Sequence, residues 1–300
     1  MNGFIDSKYE LDKPQRWLNG NNTLLGSDLK GIREHLINKK AINLRNFNSI
    51  ESKFINELDL YNSSKPYFKL LSELLKEDNL LILHPDSTNI YPRLKIIQVF
   101  NNRLTMVESI DAKEFYAFSK EADLLTTDNV RIKLIHLCHK LFNKTGINTW
   151  FNELGFKNKT KVEDKVKIKE LSMLLTSLEV HLSFLQLSRL LKGINELTGV
   201  KCYRKELFNT FCKALEDAEM QNSSVLESMN NKRNMMRRIG RKIYGRCIGT
   251  TLLTKGLEFD TVAILNAHKF DCPKHLYVAM TRASKRLIIF TDKPILNPYK

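Results

Sequence analysis

Two sets of strand signals, separated by more than a hundred residues of helical pattern, set the strongest limit on how this chain can fold. "NLLILHP" (79–85) is a continuous apolar run bounded by turn residues, the pattern of a strand buried on both faces. "RLTMVES" (103–109) reads as another strand, and "DAKEFYAFSKEA" after it as a helix capped by Asp111. From 128 to 245 the pattern is almost wholly helical. Strand signals then return in "RCIGTTLL", "DTVAIL" and "RLIIFTD". Strands alternating with helices favour a parallel sheet. The expected architecture is therefore α/β, with one parallel sheet assembled from residues near 79–125 and 246–293 and interrupted by an all-helical block.

Within that frame the local signals are uneven. Residues 1–26 are polar and turn-rich without clear periodicity. A helix is expected after Ser27 or Asp28, either a suitable cap, a second around 50–58, and a third from Pro66, a residue tolerated in a first helical turn. In the helical block, Leu171, Leu174, Leu175, Leu178, Leu182 and Leu185 form an apolar stripe, with a break expected near Val180 or later at "KGINELTGVK". Ser224 and Glu227 have the spacing of a capping box for a further helix. The expected divisions are 1–78, 79–127, 128–245 and 246–300.

The charge is unusual: 48 Lys and Arg against 33 Asp and Glu, a net of +15. Such an excess favours a polyanionic partner, with nucleic acid the commonest. The excess is densest at Lys232, Arg233, Arg237, Arg238, Arg241, Lys242 and Arg246. On a helix, Arg237, Arg238 and Arg241 would project together and could follow a phosphate backbone. No acid within this stretch is available to pair with them. The alternative is a solvated helix face, the usual fate of a charge run. The five cysteines are odd in number and scattered, which argues for a reducing compartment rather than a disulfide framework. The first residues lack the apolar core of a secretory signal, and no apolar run approaches the roughly 18 residues of a membrane span. A soluble, cytoplasmic protein without a membrane partner is expected.

Two stretches carry more specific chemistry. "TTLLTKGLEFD" (250–260) and "LYVAMTRASKRL" (276–287) each place charges beside an apolar strand, where an unpaired charge would be costly. Together they resemble motifs V and VI of the UvrD/Rep-type superfamily 1 DNA helicases, T-x-H-x-x-K-G-L-E-[FW] followed by [LVI]-[YF]-V-[AG]-x-T-R-[AG]. The close match covers about 246–291. The resemblance implies a RecA-like sheet, the second of two such domains between which ATP with Mg2+ lies. The helical block would be the insertion that family carries upstream of motif V.

By that resemblance, Arg282 is the arginine finger that stabilises charge on the transferring phosphoryl group, an effect on the order of 10³–10⁵ in turnover. Glu258 receives hydrogen bonds from the nucleotide ribose, and Lys255 adds charge nearby. Gly256 lets the backbone approach the phosphates. Thr250 and Thr251 lie near the single-stranded DNA backbone. Tyr277 is as suited to packing as to contact. Read without the resemblance, Lys255 and Glu258 could form a surface ion pair, and Arg282 could close a helix turn.

The chain departs from the family pattern in three ways. Leu252 stands where the family has His. The acidic lead-in to motif VI is replaced by "CPKH". No G-x-x-x-x-G-K-[ST] loop is present to cradle phosphates, nor an apolar strand ending in an Asp-Glu pair to hold magnesium. The magnesium ligands and the phosphate-binding half are accordingly expected from a protein partner or from an N-terminal domain outside these residues. His268, Cys272 and His275, or His136, Cys138 and His139, lack a clear fourth ligand for structural zinc, so no metal site is expected. Two functions remain open: the C-terminal half of an ATP-dependent helicase or translocase on single-stranded or duplex DNA, and a non-catalytic DNA-binding or regulatory protein retaining that fold.

Overall fold

The computed structural model describes residues 15–62, 64–101, 103–152, 155–239, 243 and 245–299. The chain divides into two compact units, 1–93 with 244–300, and 94–243.

The first unit begins with α1 (Gln15–Asn19) and α2 (Thr23–Ile37), then β1 (Ile42–Asn43), β2 (Ile50–Phe54), α3 (Pro66–Leu74) and β3 (Leu80–Leu83). After residue 244 come β7 (Arg246–Gly249), β8 (Phe259–Ile264), α12 (Pro273–Met280), β9 (Ala283–Thr291) and β10 (Ile295–Leu296). Five of these strands form a parallel sheet in the order β2-β9-β8-β3-β7. All four residues of β3 are fully buried, because it lies between β7 and β8 and is covered on both faces. That is why its sequence is a continuous apolar run. The α/β class and the parallel sheet agree with the sequence reading.

Two local expectations are overturned. Residues 50–54 form the strand β2, not a helix. The pairing with β9 decides this, and Glu51 receives two hydrogen bonds from Arg286, at 2.6 and 3.0 Å, from 235 residues away. A local helical pattern yields to tertiary pairing. Helix α2 starts at Thr23, capped by Asn22, whose side chain accepts from the Leu25 N–H at 3.0 Å. Asp28 accepts instead from the backbone and hydroxyl of Ser49. Pro66 opens α3 as expected.

The second unit contains most of α4 (Tyr91–Val99), then β4 (Thr105–Met106), α5 (Lys113–Asp123), α6 (Val130–Leu141) and α7 (Lys144–Trp150). A short antiparallel pair, β5 (Phe151–Asn152) and β6 (Gly155–Phe156), interrupts the helices, a feature the sequence did not signal. The unit finishes with α8 (Val162–Val180), α9 (Phe184–Asn195), α10 (Lys205–Gln221) and α11 (Val225–Ile239). Phe115, Trp150, Leu178, Leu187, Leu191, Phe211, Leu215 and Met229 are among its core residues. In α8 the buried stripe is Leu171, Leu175 and Leu178; the helix ends at Val180, and Leu185 belongs to α9.

Helix α5 shares the compact unit of the helices after residue 128: it packs on α10 and α11, and its Asp123 caps α11 through the Val225 and Leu226 N–H groups, at 2.7 and 3.0 Å. Ser224 adds the expected cap to the Glu227 N–H at 3.0 Å. Asp111 caps nothing: α5 starts after Ala112 without a side-chain cap.

Candidate functional site

The site is built where β7 leaves the sheet and β8 enters it. Residues 251–256 form consecutive turns, closed by the Thr254 hydroxyl and N–H donating to the Thr250 carbonyl, at 3.0 and 3.2 Å. Gly256 ends them with φ +85°, in the left-handed region where a side chain is strained. A Cβ there would meet no heavy atom within 4 Å, so backbone conformation rather than crowding selects glycine. Lys255 is exposed and makes no ion pair among the described residues. Thr250 and Thr251 are buried, and the Thr251 hydroxyl has no hydrogen-bond partner among the described residues. Leu252 points outward, 67% exposed.

Helix α12 delivers the second half. Arg282 follows its C-cap and is 8% exposed. Its Nε donates to the Val278 carbonyl at 2.9 Å, and its Nη1 to the Leu257 carbonyl at 2.9 Å, inside the KGLE turn. Its Nη2 reaches the Thr281 hydroxyl at 3.4 Å. Thus Arg282 stitches the two motif-bearing segments together. The Phe259 N–H donating to the Arg282 carbonyl at 3.0 Å repeats that link in the backbone.

A residue absent from the sequence reading completes the corner. Arg16, on α1, donates from Nε to Glu258 at 2.8 Å and from Nη1 to the Thr281 carbonyl. Trp17 and Asn22 anchor the same segment on the carbonyls of Ala283 and Lys285, at 2.9 and 2.6 Å. Nothing in "KPQRW" marked Arg16, since its partners lie more than 240 residues away. Burial pulls the Arg282 pKa below the usual guanidinium range, and the Arg16 cation pulls it further, while Glu258 opposes them. Two guanidinium groups against one half-exposed carboxylate leave a net positive corner, an arrangement suited to an anion.

The basic run spans both compact units. In the second unit, Lys232 pairs with Asp217. Arg233 is fully buried over the Phe115 ring, 3.7 Å from its centroid, and donates to the carbonyls of Ser109 and Ile110. Arg237 pairs with Asp111 and also donates to Asn234 at 2.5 Å. The acids missing locally are thus supplied by distant segments, and Arg237 is held by a carboxylate. Arg238 is exposed without an ion pair among the described residues. Arg241 lies outside the described residues. In the first unit, Arg246 donates to the Glu77 carbonyl and to Asp78.

A sequence model of the viral superfamily 1 RNA helicase core domain matches residues 162–291, including both motif segments. The chain carries a helicase-like domain. This agrees with the parallel α/β sheet and with the helicase character read from the two motifs. No curated protein matches the sequence. Among the described residues no helix is long and apolar enough to cross a membrane.

Proposed function

We propose that this chain is the second motor half of a UvrD/Rep-type nucleic-acid helicase or translocase. The observation that supports the reading is the Arg282 Nη1 bond to Leu257, because it sets motif VI directly against the KGLE turn beside Glu258. In this reading ATP and its Mg2+ are held mainly by residues outside these 300, on a partner chain or an N-terminal domain. Arg282 turns from the Leu257 carbonyl toward the transferring phosphoryl group and acts as the arginine finger. Arg16 keeps Glu258 extended toward the ribose, Lys255 adds positive potential, and Gly256 permits the turn. Thr250 and Thr251, buried here and with the Thr251 hydroxyl lacking a partner among the described residues, lie next to the nucleic-acid strand in this reading, linking track to cleft.

The test is phosphate release with single-stranded DNA. The chain alone should show no turnover. Adding a protein that carries the phosphate-gripping half should produce it, and Arg282→Ala should then lower it by about 10³ or more. Robust turnover by the chain alone, lost in Arg282→Ala, would overturn the division of labour. The motif pattern favours DNA whereas the matched family acts on RNA, so competition between the two single strands decides the track.

One observation favours the second reading, a non-catalytic nucleic-acid-binding or regulatory protein. All three Arg282 nitrogens are engaged inside the chain, as a structural clamp requires. Under that reading Arg282→Ala lowers the melting temperature, and no partner restores turnover to the wild-type chain.

A further inference from the structure

Helix α8 is apolar on two opposite faces, and the helical unit uses only one of them. Leu171, Leu175 and Leu178 turn inward to the core. Val162, Val166, Met173 and Val180 stand outward, each 54–80% exposed. At about 100° per residue these four fall within an arc of about 40°, and the three buried leucines lie opposite them. Val166, Met173 and Val180 are spaced by seven residues, with Val162 four residues ahead. That repeat keeps one seam of a helix turned toward a second helix. Apolar side chains scattered over a surface are ordinary, but a line of them along a helix marks a contact. The flanks of the line carry opposite charge. Lys165 and Lys169 border it on one side, Glu163 and Glu170 on the other. All four are exposed, and none makes an ion pair among the described residues.

We propose that this face is the contact between two copies of the chain, with their α8 helices side by side and parallel across a two-fold axis. A second copy is the occupant that the charges select, because the face is complementary to itself. With the axis along the helices, the basic flank of each copy lies against the acidic flank of the other. Lys165 of one copy then meets Glu170 of the other, five residues on, the offset at which flanking charges pair in a parallel coiled coil. An antiparallel pair would set like flanks together, Glu170 near Glu170 and Lys169 near Lys169 across the midpoint, and so repel. Helices of 19 residues bury well below the standard interface of about 1,600 Å², and Lys169 beside the seam weakens the contact further. The dimer should therefore be reversible, with a dissociation constant on the order of micromolar.

The test is sedimentation equilibrium of the nuclease-treated full chain, from low to high micromolar concentration, without nucleotide. Wild type should pass from monomer to dimer. Val166→Lys with Met173→Lys should weaken the dimer by about a hundredfold or more, with circular dichroism unchanged because both side chains are exposed. Lys165→Glu alone and Glu170→Lys alone should each weaken it about fivefold at low salt, and the two together should restore it, since the pairs re-form with reversed sign. A monomer at every concentration, a dimer indifferent to Val166→Lys with Met173→Lys, or a charge exchange that fails to restore association would each overturn the proposal. Arg282→Ala should leave the dimer unchanged whatever happens to turnover, so this contact and the motor reading fail separately.

Discussion

Arg282 does two things that conflict: it closes the protein's own turn, and it must be free to meet a phosphate. Removing it takes the side-chain donor from the Leu257 carbonyl and one of two side-chain donors from the Val278 carbonyl, which keeps the Thr281 hydroxyl. Arg282→Ala should therefore cost on the order of 3 kcal/mol, read from denaturant unfolding of the chain alone. A cost near zero would mean the clamp is already open in solution. Gly256 supplies a cleaner test of backbone conformation. Its φ of +85° lies in open space, so Gly256→Ala should destabilise by about 1–2 kcal/mol without any clash, and Gly256→Asn by less. Equal penalties for Ala and Asn would indicate a hidden steric contact instead. At this scale the sequence revealed residue types and spacing, which is how the KGLE and TR segments were legible. It concealed Arg16, because an arginine in a polar stretch has no local periodicity to mark it.

Among the elements, β2 shows how pairing overrides a local pattern. As an edge strand it carries Glu51, which the Arg286 guanidinium holds below the ordinary carboxylate range by hydrogen bonding and charge. A carboxylate with a lowered folded-state pKa contributes stability above its ordinary range and loses it as pH falls through the lowered value. Glu51→Gln should therefore lower stability at neutral pH and give a shallower acid limb that converges on wild type at low pH; an identical acid limb would assign it to other carboxylates. Helix α11 depends on a cap 102 residues earlier in sequence. Asp123→Ala should cost about 1 kcal/mol by freeing two N–H groups, checked by thermal unfolding. The capping residue Ser224 was readable because it adjoins its helix, and Asp123 was not, because only the packing of α5 brings it there.

For the whole molecule, burial controls reactivity. Cys202 and Cys212 are pushed up to about 12 and Cys247 to about 11, and burial drives Cys138 higher still, so these thiols stay protonated. Native protein should expose one fast-reacting thiol, Cys272, to a disulfide reagent, and five in denaturant. Two or more fast thiols would mean that a core opens readily.

The sequence by itself determined the class of fold, the central strand and the order of the two motifs, because each rests on hydrophobic period or contiguous spacing. Tertiary structure alone decided that 50–54 is a strand and that α5 packs with α10 and α11. It also assigned the acids to Lys232 and Arg237, and set Arg16 against Glu258. Those outcomes depend on partners far along the chain, and an electrostatic or hydrogen-bonding preference has no address until folding brings the second group within a few ångströms.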